Sequence, residues 1–212
     1  MEDKMYSIAY VVPFFGKFPK GFQFWLLSCK CNPSIDWLIF TDDKTPYDYP
    51  ENVKITYWTF DQMKKKAQAI YDFPIFLERP YKLCDFKPAY GEIFADELKD
   101  YDFWGHCDID LVWGNIRKFY TDEVLGKYEK VGFNGHSNLY KNTPSTCLHV
   151  LCYNASFKEK IGLIRPNIGV PFDCGNCYWL TFERNEWISI FMVLGFCGCH
   201  FRNKVFVDDF RI

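Results

Sequence analysis

Phe103-Trp104-Gly105-His106-Cys107-Asp108-Ile109-Asp110-Leu111-Val112-Trp113-Gly114 is an apolar run that carries two carboxylates, two residues apart, and closes on a glycine. Apolar residues without clean alternation, bounded by turn-forming residues, predict a strand buried on both faces. An α/β sheet delivers its chemistry at such strand ends. The stretch therefore predicts an α/β fold with Asp108 and Asp110 in a turn that leaves a strand.

Working outward toward the N-terminus, Ser7 to Val12 is a strand of the same kind and stops at Pro13. The loop to Gly21 leads into a helix over Phe22 to Cys29, with Asn32-Pro33 as its stop signal. Asp36 to Thr41 reads as a second buried strand ending in Asp42-Asp43, and Val53 to Thr56 as a short third. Thr59-Phe60-Asp61-Gln62 has capping-box spacing and opens a lysine-bearing helix to about Ile70. A proline-bearing connection, Asp72 to Pro80, follows. Pro88 is placed as the first residue of a helix to about Leu98, which feeds the acidic stretch. This alternation predicts a mostly parallel sheet flanked by helices.

On the C-terminal side, Asn115 to Tyr120 and Thr121 to Leu125 read as short helical turns, and Lys130 to Phe133 as a short strand before Asn134-Gly135-His136. Gly162 to Phe172 is loop-like, Glu186 to Leu194 is helix or strand, and Val205 to Val207 is a last strand. One domain over residues 1–212 is expected, in two halves over 1–114 and 115–212.

A chain of 212 residues that is 49% hydrophobic and 20% aromatic can bury a sizeable core. Lysine and arginine total 25 against 27 acids, a net charge of -2, which gives no footprint for nucleic acid. The longest apolar run, Trp187 to Cys199, is shorter than the roughly 20 residues of a spanning helix. The N-terminal apolar stretch reads as a first strand and its loop, without the cleavage site of a signal peptide. Ten cysteines in such a chain read as reduced thiols, so a cytoplasmic location is expected.

Carboxylates at i and i+2 of a turn can reach one hard cation, and Mg²⁺ or Mn²⁺ held that way keeps positions open for phosphate oxygens. The bland reading, two solvated turn aspartates, fits poorly with so apolar a setting. His106, two residues before Asp108, shares its face if the strand runs on unbroken. His136 follows an Asn-Gly turn that can present it to a cleft, as an acceptor contact or a base.

Four segments in order carry a resemblance: Val12-Pro13-Phe14-Phe15-Gly16, Asp36-Trp37-Leu38-Ile39-Phe40-Thr41-Asp42, Pro80-Tyr81-Lys82-Leu83-Cys84-Asp85-Phe86-Lys87-Pro88-Ala89-Tyr90-Gly91, and Tyr101-Asp102-Phe103-Trp104-Gly105-His106-Cys107-Asp108-Ile109-Asp110. With residues 134–144 they resemble bacterial glycosyltransferases of the GT-A type found in capsular and lipopolysaccharide gene clusters. The resemblance covers residues 7–144 and is looser beyond. It implies a single Rossmann-like GT-A domain that uses a nucleotide sugar, with UDP as the expected nucleotide, and Mn²⁺ or Mg²⁺ on Asp108 and Asp110. Pro13, Phe14 and Phe15 would lie against the nucleoside, Asp42 near the base, and Lys82, Asp85 and Lys87 near the donor sugar or phosphates. The acceptor would be a surface glycan or lipid-linked glycan, which could bring the protein to the inner face of the membrane.

Two departures stand out. Cys174 follows Asp173 where the family carries a second acid, and Asp173 stays a candidate base or acceptor contact. The family commonly takes a further metal ligand from a C-terminal histidine or aspartate; here Asp208, Asp209 or water takes that place, or the full site is absent and activity is impaired. Two rivals differ in class. Asp108-Ile109-Asp110-Leu111-Val112 also fits the Asp-x-Asp-x-Val pattern of haloacid-dehalogenase-like phosphatases, in which the first aspartate is the nucleophile and the pattern stands on the first core strand. Cys174, Cys177, Cys197, Cys199 and His200 could instead mark a zinc-binding module.

Overall fold

The structure, a computed structural model, describes residues 5–146 except 73, 135 and 145, with the backbone alone at 133 and 134. Asp173, Asp208, Asp209, the cysteines from 174 onward and the expected elements after residue 146 lie outside the described residues.

Strands β1 (Ile8–Pro13), β2 (Ile35–Thr41), β3 (Val53–Tyr57), β4 (Phe103–Cys107), β5 (Lys130–Asn134) and β6 (Ser137–Lys141) form one sheet in the order β3-β2-β1-β4-β6-β5. The four on the β3 side run parallel, whereas β6 is antiparallel to both β4 and β5. β1 and β4 are buried on both faces, which is why they read as unbroken apolar runs. The return strand β6 was not expected. Its Ser-Asn-Leu-Tyr-Lys composition is poor in β-branched residues, and pairing with β4 supplies what propensity does not.

Helix α1 (Phe22–Lys30) covers one face of the sheet, where Phe22, Trp25 and Leu26 meet Tyr10, Trp37 and Phe103. Residues 113–125 join the same core through Trp113, Ile116, Tyr120 and Leu125, so the chain on both sides of Gly114 folds as one body. A 3₁₀ turn at Ile116–Lys118 and helix α6, numbered after those below, at Asp122–Lys127 match the expected helical turns there.

The opposite face is covered by α2 (Phe60–Gln68), α3 (Leu83–Phe86), α4 (Tyr90–Ile93) and α5 (Ala95–Leu98), packed on Val11, Phe40 and Trp104. The capping box at Thr59 is present in both directions. The single helix expected from Pro88 is broken instead. Pro88 lies in a 3₁₀ turn over Lys87–Ala89, and Phe94, at φ -108° and ψ 26°, separates α4 from α5. The break aims the Phe94 ring at Phe40 of β2, with 4.6 Å between centroids. Burial of that ring outweighs helix continuity. At Gly91 a Cβ would come within 2.4 Å of the Trp104 indole, so α4 lies against β4 as closely as glycine allows.

Candidate active site at the carboxyl ends of β1 and β4

From β1 the chain moves through β2 to β3 on one side, then returns to β4 on the other side of β1. That reversal is a topological switch point, and the crevice outside the carboxyl ends of its two strands is where open α/β sheets bind ligands. Pro13 ends β1 and Cys107 ends β4. Pro13 to Phe15 and Asp108 to Asp110 are therefore the residues the topology delivers to that crevice.

Asp108 continues the β4–β6 ladder by one step: its N–H donates to the His136 carbonyl at 2.9 Å. Its carboxylate meets two nitrogens. Oδ1 accepts from Lys87 Nζ at 2.6 Å, and Oδ2 lies 2.8 Å from His136 Nδ1. Lys87 comes from the 3₁₀ turn before α4 and is 7% exposed, while the His136 side chain is 67% exposed. Asp110 is exposed, two residues on. Asp108 thus meets both Lys87 and His136, and Lys87 is an internal counter-ion to Asp108 rather than a surface lysine.

Lys82 turns to a different partner, donating to Asp85 Oδ2 at 2.6 Å. Asp85 is buried, and its Oδ1 has no hydrogen-bond partner among the described residues. A buried carboxylate oxygen left so is an available acceptor for a hydroxyl donor. The phenol of Tyr90 packs nearby and donates to the Leu83 carbonyl at 2.9 Å. Burial pushes its pKa well up, with the charges of Cys84, Asp108 and Asp85 adding to the effect.

His106 lies on the Lys87 side of β4, as its spacing from Asp108 predicts. It is buried, stands 3.5 Å from Asn138 Nδ2 through Nε2, and packs on the Tyr140 ring. Burial first, then the positive charges of Lys87 and Lys130, hold its pKa well below the ordinary histidine value. The ring is therefore a neutral part of the floor under the crevice.

At the end of β1, Phe14 is half-buried and stacks on Phe18 at 5.1 Å, whereas Phe15 is buried against Phe60. The Phe15 ring is thus occupied by core packing, which leaves Pro13 and Phe14 to face a ligand. Asp42 accepts the Gly16 N–H at 2.7 Å, closing a turn in which Gly16 has φ +100°. One residue later stands a stronger anchor that the sequence did not reveal. Asp43 is buried and accepts from Lys17 Nζ at 2.7 Å, Phe18 N–H at 2.9 Å and the Thr45 hydroxyl at 2.6 Å. Adjacent aspartates after an apolar strand were the available signal.

The donor set suits a hard divalent cation. Mg²⁺ and Mn²⁺ sites that act on phosphates need only one or two carboxylates, the other positions going to water and phosphate oxygens. Asp108 and Asp110 are two carboxylates of that kind, and Asp108 is paired with the Lys87 ammonium. Among the described residues no three His, Cys, Asp or Glu side chains converge as a metal cage. Also among the described residues, no helix is long and apolar enough to cross a membrane, and Cys29, Cys31 and Cys107 are thiols.

The model of a family described as a family of unknown function, DUF6625, matches residues 10–164, most of the chain. No curated protein matches it.

Proposed function

The chain belongs to the DUF6625 family, and we propose that it is a metal-dependent GT-A glycosyltransferase that moves a sugar from a nucleoside diphosphate, UDP by preference, to a glycan acceptor. The observation that carries the reading is the position of Asp108: at the switch point between β1 and β4, with a buried lysine on one carboxylate oxygen.

Asp108 and Asp110 would hold Mn²⁺ or Mg²⁺, which supplies charge neutralisation to a diphosphate as its bond to the sugar breaks. Lys87 fixes Asp108 and adds positive charge next to the leaving group. Lys82, paired with Asp85, stands ready for a phosphate oxygen. The second oxygen of Asp85 accepts a hydroxyl of the donor sugar. Pro13 and Phe14 give the nucleoside an apolar wall, and Asp42 offers its remaining oxygen to base or ribose. His136, exposed at the rim, and Asp173 are the candidates for taking the acceptor's proton. A lipid-linked acceptor would place the enzyme on the inner face of the membrane.

The phosphatase alternative calls for the aspartate on the first core strand, and here β4 is the fourth in chain order.

The test is release of UDP from a panel of UDP-sugars with Mn²⁺ present. Asp108→Asn and Asp110→Asn should each reduce release by at least about 100-fold, the scale of losing a principal electrostatic contact. Release that is unchanged in both variants would sink the proposal, and hydrolysis of simple phosphate esters in its place would favour the phosphatase.

A further inference from the structure

The loop that carries Asp108 and Asp110 is gripped at both ends from the α1 side of the sheet. At its start, Trp25 Nε1–H donates to the Asp108 carbonyl at 3.2 Å. At its end, Asn32 donates through Nδ2 to the Gly114 carbonyl at 2.9 Å and accepts the Ile116 N–H through Oδ1 at 2.8 Å. Both side chains are buried. Just before Gly114, Trp113 sinks into the core against Tyr10 and Trp37, at 5.3 and 5.8 Å.

The grip is itself fixed. Trp25 stacks on Phe22 at 5.4 Å and meets Trp37 edge-on at 6.0 Å, so its N–H has one direction. Asn52 Nδ2 donates to the carbonyls of Cys29, Asn32 and Ile35 at 3.0, 2.9 and 3.0 Å, which ties the end of α1 to the sheet. The carbonyl that Trp25 holds belongs to the peptide between Asp108 and Ile109. Peptides are planar, so turning this one re-aims everything that follows, Asp110 included.

We propose that Trp25 is a positioning residue for the acidic pair. By holding the Asp108 carbonyl, the indole sets the direction of the Asp110 carboxylate relative to that of Asp108, and so sets the affinity of the pair for a divalent cation. The inference rests on the functional reading above and adds a residue that touches no ligand. Groups that orient the ligands of a metal govern its affinity by about 10-fold to 100-fold. Trp25 acts one bond further away, through the main chain, so the lower figure applies.

The experiment measures Mn²⁺ binding to the full chain without nucleotide, from the spin-resonance signal of free Mn²⁺. Trp25→Phe keeps an aromatic ring and removes the N–H. Leu26→Ala destabilises the same helix from a buried position that makes no contact with the loop through hydrogen bonds, and it serves as the comparison. The expected result is a Kd raised about 10-fold in Trp25→Phe and unchanged in Leu26→Ala, even though the latter melts at least as early. Equal affinity in Trp25→Phe and wild type overturns the inference alone. Equal weakening in both variants also overturns it, because general loosening of α1 then suffices. A wild type that binds no Mn²⁺, alone or with UDP present, overturns the functional reading and the inference with it.

Discussion

Lys87 sets its ammonium nitrogen 2.6 Å from Oδ1 of Asp108, and 9% of the lysine side chain reaches solvent against 25% of the aspartate's. Burying a cation is costly unless an anion faces it. Replacing it should therefore hurt the fold as well as the site. Lys87→Met should destabilise the protein by about 2 kcal/mol, less than the 3–5 kcal/mol of a fully buried pair because water can reach the orphaned carboxylate. Urea unfolding measures this, and an unchanged midpoint would show that the pair contributes nothing. In the same variant the KM for the UDP-sugar should rise.

Asp43 gives the protein an acid-sensitive latch. Burial raises its pKa, but hydrogen bonds from Lys17, Thr45 and the Phe18 N–H outweigh that and hold it well below the usual carboxylate range. A folded-state pKa below the unfolded value means stability that is present above about pH 4 and is lost as pH falls through the folded pKa. Wild type should therefore exceed Asp43→Asn in stability at pH 6, with the difference shrinking steadily from about pH 4 downward. Denaturant midpoints at several pH values measure it. A constant difference would mean that the latch does not depend on charge.

What the sequence made legible follows from what is local. Buried parallel strands announce themselves as apolar runs, so β1 and β2 could be placed to within a residue or two, whereas the run from Phe103 to Gly114 did not show that β4 ends at Cys107. The capping box of α2 is contained within Thr59 to Gln62. The spacing of His106 and Asp108 also placed them on one face. The pairing of Asp108 with His136 could not be seen, because it depends on the antiparallel register Cys107↔Ser137 and β6 carries no strong signal of its own. Likewise the burial of Lys87, Asp85 and Phe15 is decided by how the 80–98 segment and α2 lie on the sheet, which no spacing rule reports.

The Thr59 cap should be measurable apart from the site. Its hydroxyl accepts the Gln62 N–H at 3.2 Å, and Gln62 Oε1 accepts the Thr59 N–H at 2.7 Å. Thr59→Ala removes the first bond and leaves the second, so a loss of about 1 kcal/mol is expected. Thr59→Ser should restore most of it. Mn²⁺ affinity should not move in either variant, since α2 lies away from Asp108. A changed affinity would mean that α2 and the site are coupled.

Two glycines hold β4 between its neighbours, and a third shows by contrast that the effect is steric. A Cβ on Gly105 would stand 2.5 Å from the Asn138 carbonyl oxygen and 2.7 Å from the Tyr10 ring. On Gly91 it would stand 2.4 Å from the Trp104 indole, whose ring is stacked on Tyr140 at 4.6 Å and has no room to retreat. On Gly114 it would meet nothing within 4 Å. Gly105→Ala and Gly91→Ala should each lower stability by about 3 kcal/mol, at the upper end of overpacking in a filled interior. Gly114→Ala should stay within about 0.5 kcal/mol of wild type. The Gly105 clash is with the backbone of β6, so relief must push β6 away from β4. The Asp108–His136 pair lies at the end of that same ladder. Gly105→Ala should therefore also shift the His136 ring resonances in NMR spectra, whereas Gly91→Ala, which presses on the opposite side of Trp104, should leave them in place. His136 resonances that are unmoved in Gly105→Ala would mean that the turn bearing His136 is held by something other than the β4–β6 ladder.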